Sequence, residues 1–294
     1  MGTRPINAIA GLTGHTGSAA AELLLERKQP VRGIVRDERK AAAWRERGVE
    51  LVTASLDDAA ALTRALSGAS GAYLLLPPDY AAPDVLAVLQ RQTDAMARAV
   101  QESGIPHVVL LSSLGAELPG GTGPIRSLHY AENALGRAAK NLTVLRAGYF
   151  LENWIPVLDA VRSEGLLPSF LAPGKPLAMA ATRDIGRTAA ELLLDPARGR
   201  RVVQLAGPRE LTPEDVAQAL GQRLGRAVRV QGLPLDAVVP AFTAAGMSPK
   251  SAELFREMYA AANAGRLTFA GGQAELRRGT LGPGEVLGGL VAGD

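Results

Sequence analysis

Ile6-Asn7-Ala8-Ile9-Ala10-Gly11-Leu12-Thr13-Gly14-His15-Thr16-Gly17 is the stretch on which the reading of the fold turns. Ile6–Ala10 reads as a short buried strand, Gly17–Arg27 as the amphipathic helix that follows, and the glycines at 11, 14 and 17 fill the turn between them. Glycine lets the backbone turn sharply and lets a pyrophosphate approach it closely, while the start of a helix offers free N–H groups and a favourable dipole. The bare spacing is weak, because a chain with 33 glycines among 294 residues should show it about 0.4 times by chance. Its place, at the first strand-to-helix turn, is what makes it a phosphate cradle rather than an ordinary glycine-rich turn.

Outward from this turn the first half alternates apolar runs with helical segments. Strands are expected at Val31–Val35, Glu50–Thr53, Ala72–Leu76, His107–Leu111 and Leu142–Leu145. Helices are expected through Arg39–Arg47, Asp58–Leu66 with an acidic first turn, Pro83 to about Ser103 with Gly104 as its stop, and Tyr130–Ala139. Strands that are apolar throughout and separated by helices belong to a parallel sheet buried on both faces. The expected fold is therefore α/β, a doubly wound parallel sheet of the Rossmann type, which takes its ligands at the carboxyl ends of the strands. Residues 1–150 make the dinucleotide-binding unit on this reading, and residues 151–294 the remainder of the sheet plus a smaller substrate lobe. In the second part helices are expected at Ile155–Glu164, Asp184–Leu194, Thr212–Leu224 and Lys250–Ala264, and strands at Val202–Leu205 and Val228–Val230. Leu118-Pro119-Gly120-Gly121-Thr122-Gly123-Pro124 reads as either a mobile cover over the cleft or a plain connection.

Composition narrows the chemistry. The chain has no cysteine, hence no disulfide, thiol nucleophile or thiolate metal site, in keeping with a reducing cytoplasm. Its histidines are His15, His107 and His129, too scattered for a zinc site, so no metal is expected. The net charge of +3 is small and interspersed, as in Arg36-Asp37-Glu38-Arg39-Lys40, which is a solvated surface and no nucleic-acid site. No apolar run approaches a membrane span and none resembles a secretion signal, so the expectation is a cytoplasmic protein with a small-molecule partner, compatible with a homodimer.

Arg36 closes the second strand, about 20 residues past the glycine loop, where this architecture meets the adenosine ribose. An acid there would bond the 2′-hydroxyl, whereas arginine suits a 2′-phosphate. The expected cofactor is accordingly NADPH, with NADH left open, because Asp37 follows directly. The other reading of Arg36 is a solvated arginine paired with Asp37 or Glu38.

Further motifs carry a family resemblance. Val35-Arg36-Asp37, Leu56-Asp57-Asp58, Leu74-Leu75-Leu76-Pro77-Pro78, Leu111-Ser112-Ser113-Leu114-Gly115-Ala116, His129-Tyr130-x-Glu132, Leu145-Arg146-x-Gly148-Tyr149-Phe150-x-Glu152-Asn153 and Asp184-Ile185-Gly186 follow the glycine loop in order. Over roughly residues 5–210 the chain resembles the NmrA-like atypical short-chain dehydrogenase/reductases, within them the bacterial quinone and triphenylmethane reductase branch. The glycine loop itself reads as cofactor contacts at Gly11, Thr13, Gly14, His15, Thr16 and Gly17, and the resemblance implies further ones, with Leu56 and Asp57 by the adenine. It implies Leu75, Leu76 and Pro77 on the adenosine side, Ser112 and Ser113 toward the nicotinamide ribose, and Tyr149 and Phe150 bordering the nicotinamide. Asp57 reads equally as a helix cap, and Tyr149 and Phe150 equally as core aromatics. Tyr149, Phe150 and Trp154 are expected to form an apolar substrate wall.

One departure bears on mechanism. Ordinary short-chain dehydrogenases carry Tyr-x-x-x-Lys, but Ala134 stands four residues after Tyr130, so no cation lowers the phenol from its ordinary value. His129, Tyr130 and Ser113 are the catalytic candidates, and His129 reads equally as a helix-start residue bonding backbone. The activity expected is an NAD(P)H-dependent reductase passing hydride to a small electron-poor acceptor: a quinone, azo compound, conjugated carbonyl or iminium ion. A cofactor-sensing regulator without turnover, and a lyase, isomerase or epimerase on a vestigial nucleotide site, remain the alternatives at this point.

Overall fold

The structure is a computed structural model and describes residues 5–269, 271 and 274–293. Strands β1 (Ile6–Ala10), β2 (Val31–Val35), β3 (Glu50–Thr53), β4 (Ala69–Leu74), β5 (Val108–Ser113) and β6 (Leu142–Ala147) are joined by helices. These are α1 (His15–Glu26), α2 (Ala42–Glu46), α3 (Ala59–Leu66), α4 (Val85–Ser103) and α5 (Arg126–Ala138). Beyond them come β7 (Tyr149–Phe150), α6 (Leu158–Glu164), β8 (Leu166–Ser169), β9 (Met179–Ala180), α7 (Thr182–Leu194), β10 (Arg200–Ala206), α8 (Pro213–Leu224) and β11 (Arg229–Gly232). The chain ends with α9 (Val238–Ala244), α10 (Pro249–Asn263), β12 (Glu275–Arg278) and α11 (Pro283–Ala292).

The main sheet has eight strands in the order β12-β10-β6-β5-β4-β1-β2-β3, and every neighbouring pair is parallel. The direction of winding reverses between β1 and β4, which opens a crevice at their carboxyl ends. Side chains alternate across the sheet. Ile9, Tyr73, Val109 and Leu145 pack under Leu24 of α1 and Ile185 and Ala189 of α7. Ala8, Leu74, Leu110 and Val144 pack under Leu62 of α3, Met96 of α4 and Leu135 of α5. A third core, with Trp154, Leu158, Leu167, Val216, Leu220, Met258 and Leu287, belongs to the later elements.

Several boundaries differ from the sequence reading for local reasons. The apolar run expected as a strand to Leu76 leaves the sheet after Leu74, because Pro77 and Pro78 have no N–H to give a ladder. The helix expected from Tyr130 begins at Arg126, led in by a 3-10 turn over Gly123–Ile125, so His129 lies within its first turn instead of starting it. Asp58 caps α3, its carboxylate accepting from Ala61 N–H at 2.9 Å, and does not sit inside its first turn. The segment Arg39–Arg47 splits into a 3-10 turn, Glu38–Ala41, and the short α2. β12, a polar edge strand, gave no sequence signal and exists through its pairing with β10.

The glycine turn is held by α7. A Cβ on Gly186 of α7 would stand 2.3 Å from the Thr16 carbonyl oxygen and 2.6 Å from Ala19 Cβ, so the two helices touch backbone to backbone. Gly186→Ala should therefore destabilise the protein by about 1–3 kcal/mol through overpacking, lowering Tm by roughly 2–12 °C. Gly136 of α5 is exposed, and a methyl group there would meet its nearest neighbours only at 4.0 Å, so Gly136→Ala should raise Tm through helix propensity. Thermal melts of both variants check the pair, and an unchanged Tm for Gly186→Ala overturns the tight contact.

Candidate functional site

At the end of β1, Gly11 takes φ +67 and its carbonyl accepts from Gly14 N–H at 2.8 Å. A Cβ on Gly17 would lie 2.2 Å from that carbonyl oxygen, whereas one on Gly14 meets only the same oxygen at 3.3 Å and otherwise open space. Gly17 is thus needed by the turn itself, whereas Gly14, in extended backbone at φ -96, is much less constrained by it. Helix α1 has no side-chain cap and no acid in its first turn, while α3, α4 and α10 are capped by Asp58, Asp84 and Ser248. The positive end of α1 is left for an anion from outside. Thr13, Gly14 and His15 are exposed there, and the Thr16 hydroxyl accepts from the buried Tyr73 hydroxyl at 3.0 Å.

Arg36, at the tip of β2, is exposed and has no acidic partner among the described residues. Its neighbours are otherwise engaged. The Asp37 carboxylate accepts from the Arg39 N–H at 3.0 Å and from Arg39 Nη2 at 2.9 Å, contacts that hold its pKa below the ordinary value. Glu38 accepts from Thr53 Oγ1 at 2.9 Å and pairs with Arg45, and these two partners lower its pKa in the same way. The paired-arginine reading of Arg36 is thus not what the structure forms. Leu56 is half-buried beside β3; Asp57 is exposed and accepts from Ser55 Oγ, leaving the capping of α3 to Asp58.

A cavity of about 560 Å³ runs from this turn across the carboxyl end of the sheet. Of the residues singled out in the sequence, it brings together His15, Thr16, Leu75, Leu76, Pro77, Ser112, Ser113, Tyr149 and Phe150. Gly11, Thr13, Gly14, Gly17, Arg36, Leu56 and Asp57 lie outside it, on the loop and strand ends flanking it. Its far wall comes from residues that no motif singled out: Tyr80, Leu171, Leu177, Phe255, Met258 and Leu267. Phe255, Met258 and Ala262 form an i, i+3, i+7 stripe on α10, and such a stripe alone reads as core. The glycine-rich segment 118–124 is no free cover at its C-terminal end. Thr122 is fully buried, and a Cβ on Gly123 would lie 2.0 Å from the Leu254 carbonyl oxygen of α10.

The floor rests on a buried charge cluster. Glu132 of α5 is 2% exposed and receives Arg146 Nε at 2.9 Å and Nη2 at 2.7 Å. Arg200 Nη2 donates to it at 3.0 Å, and Ser112 Oγ at 2.7 Å. Ser113 Oγ donates to the Leu114 carbonyl at 3.0 Å. Both serine protons therefore point into the protein, and toward the cavity these hydroxyls are acceptors. At the start of α7 the Glu152 carboxylate accepts from Thr182 N–H at 2.9 Å and Oγ1 at 2.6 Å, capping that helix inside the cavity wall.

Three residues singled out in the sequence stand apart from the cavity. The Tyr130 hydroxyl donates to Asp94 of α4 at 2.6 Å, on the outer side of α5, and that bond raises its pKa above the ordinary tyrosine value. The His129 ring is bonded at both nitrogens, to the Ala116 carbonyl at 2.9 Å through Nδ1 and to the Asn133 amide at 3.1 Å through Nε2. A carbonyl only accepts, so Nδ1 carries the proton and Nε2 receives one from the amide. Trp154 is 3% exposed and stands edge-on behind Tyr149, with ring centroids 6.3 Å apart. The hydroxyl of Tyr149 is bonded to Tyr259, and burial pushes the Tyr149 phenol well above its ordinary value. Among the described residues no cluster of His, Asp or Glu could hold a metal, and no helix is long and apolar enough to cross a membrane.

Comparison with known proteins agrees with this arrangement. The chain is 28% identical over 254 residues to the NAD(P)H azoreductase of Xenophilus azovorans, covering 86% of each chain. It is 27% identical over 267 residues to quinone oxidoreductase 2 of Escherichia coli, covering 88% of this chain and 89% of that one. The crystal structure of an NADPH-dependent quinone oxidoreductase from Escherichia coli, complexed with NADPH, matches 89% of this chain and 90% of its own with a TM-score of 0.77 at 25% identity. The model of the NmrA-like family matches residues 6–265, which take in the glycine turn, the sheet through β10 and the helix that walls the cavity, and the chain belongs to that family.

Proposed function

We propose that the protein is an NADPH-dependent reductase that passes hydride to a small, flat, electron-poor acceptor such as a quinone, azo compound, conjugated carbonyl or iminium ion. The observation that carries this reading is the continuity of the site. An uncapped helix start and an unpaired arginine at one end lead into a cavity that ends in an apolar wall from Leu171, Phe255 and Met258. The residues fit the cofactor: the open face of Gly14 and the first turn of α1 suit a pyrophosphate, and Arg36 is free for a 2′-phosphate.

Reduced nicotinamide, when bound, supplies the hydride. Leu56 and Asp57 then lie on the adenine side, and Leu75, Leu76 and Pro77 along the adenosine. Ser112 and Ser113 accept from ribose hydroxyls, their own protons being held by Glu132 and the Leu114 carbonyl. Tyr149 and Phe150 border the nicotinamide, and Trp154 stiffens Tyr149 from behind. Residues 1–150 act as the cofactor-binding unit; residues 151–294 add β10 and β12 to the sheet and supply the substrate lobe. Tyr130 and His129, bonded elsewhere, are left out of proton transfer. The reaction then suits acceptors whose product needs no strong acid: an iminium carbon is neutralised by hydride, and a quinone yields a stabilised phenolate.

Oxidation of NADPH in the presence of a quinone and azo-dye panel tests the reading; cofactor binding without turnover on any acceptor overturns it. Arg36→Ala should weaken NADPH about 10- to 150-fold, the effect of one charged hydrogen bond, and leave NADH nearly unchanged; equal weakening of both cofactors in a titration rules out a phosphate-reading arginine. Gly14→Val should abolish NADPH binding with the circular dichroism spectrum retained, since a Cβ there meets only the Gly11 carbonyl oxygen, at 3.3 Å; full affinity in the folded variant displaces the cradle. Tyr130→Phe and His129→Ala should each change kcat by less than about tenfold, well short of the 10²–10⁴ typical of a general acid. His129→Ala should also lower Tm, as it leaves the Ala116 carbonyl without its imidazole donor. A collapse of kcat in either variant restores that residue as the acid.

A further inference from the structure

Most hydroxyl protons around the cavity are held by the protein. Ser112 gives its proton to Glu132, Ser113 to the Leu114 carbonyl, and Thr182 to Glu152. Tyr149 is bonded to Tyr259, and Thr16 stands at the opposite end, beside the glycine turn. Tyr80 is different. It lines the cavity, and among the described residues its hydroxyl has no hydrogen-bond partner. Among the described residues the fully sealed, unpartnered side-chain atoms are those of Gln92, His107, Thr122 and Trp154, so the Tyr80 hydroxyl, although its ring is largely buried, keeps some accessible surface on the cavity it lines.

Tyr80 is held firmly. Its carbonyl accepts from Ser248 N–H at 2.8 Å, at the cap of α10. Its ring stands edge-on to Phe255 of the same helix, with centroids 4.8 Å apart and planes at 74°. Lys250 of α10 reaches Asp84 at the cap of α4, 3.5 Å away. The turn after β4 is thereby clipped to the lobe, and Tyr80 bridges the sheet end and the apolar wall. Burial of the ring pushes its pKa up to about 12, so the phenol keeps its proton at neutral pH. A rigid neutral O–H at the edge of an apolar wall recognises an acceptor atom on an otherwise apolar ligand.

We propose that the Tyr80 hydroxyl is the substrate-orienting hydrogen-bond donor of this site, selecting flat acceptors that carry a quinone- or carbonyl-type oxygen. The proposal rests on the reductase reading for its ligand class, and binding tests it apart from turnover. Wild-type protein and Tyr80→Phe, each saturated with NADP⁺ so that no reduction occurs, are titrated calorimetrically with naphthoquinone and with naphthalene. The chain has no cysteine for the quinone to alkylate. Tyr80→Phe should weaken naphthoquinone about 3- to 10-fold and leave naphthalene affinity and Tm unchanged, because the hydroxyl bonds nothing in the protein. Unchanged naphthoquinone affinity, an equal loss for both ligands, or no naphthoquinone binding by the wild type overturns the proposal. Tyr80-dependent naphthoquinone binding in a protein that never oxidises NADPH upholds it and sinks the reductase reading alone.

Discussion

Glu132 holds a carboxylate almost wholly out of water, 2% exposed, at the point where α5 crosses the carboxyl ends of β5 and β6. A charge in that position is tolerated only when opposite charge and hydrogen bonds replace its hydration, and removal of one partner typically costs about 3–5 kcal/mol. Arg146 supplies a two-pronged contact, Arg200 and Ser112 supply the rest, and Glu117 takes the remaining arm of Arg146 at 2.9 Å. The cluster thus locks β5, α5, β6 and β10 in one register and determines which way the Ser112 hydroxyl faces. The cavity floor depends on that geometry, because a serine whose proton is bound from below can only accept from above.

The two ends of the cavity are built on different principles. At the cofactor end backbone lies against backbone: Gly17 on the Gly11 carbonyl, Gly186 on the Thr16 carbonyl. No side chain intervenes, so the N–H groups at the start of α1 remain open to an anion. At the far end the contacts are apolar and aromatic, with Tyr80, Phe242 and Phe255 meeting edge to face. Dispersion and burial shape that wall without adding charge. A site with a charged binding end and a nearly proton-free reaction end suits hydride chemistry, in which the protein's task is to orient two flat partners and exclude water.

Much of this was legible in the chain. The β1–turn–α1 unit, the strand alternation and the stops at Gly104 and Pro77-Pro78 follow from rules acting over a few residues, and most of the main strands stand within a residue or two of where those rules put them. Ser112, Tyr149 and Phe150, identified by family resemblance, line the cavity. The less legible parts were those whose partners are distant. Tyr130 faces Asp94 because α4 packs beside α5, and His129 bonds Ala116 because the chain after β5 folds back over the helix. Trp154, expected in the wall, lies one layer behind it because Tyr149 occupies the front.

The order of residues along the chain is enough to dictate the parallel sheet, the glycine turn after β1 and the arginine at the tip of β2. Each of these depends on local backbone freedom or on a strand end that short apolar runs between helical segments already mark. Packing in three dimensions was needed to leave Arg36 free, since Asp37 and Glu38 could have paired with it and instead bond Arg39, Thr53 and Arg45. The same packing brought Tyr80 to Phe255, two side chains from distant parts of the chain whose meeting depends on how α10 lies across the sheet end. Hydrophobic spacing says which face of an element is buried; it does not say which distant element covers it, and the chemistry of this cavity is set by that second fact.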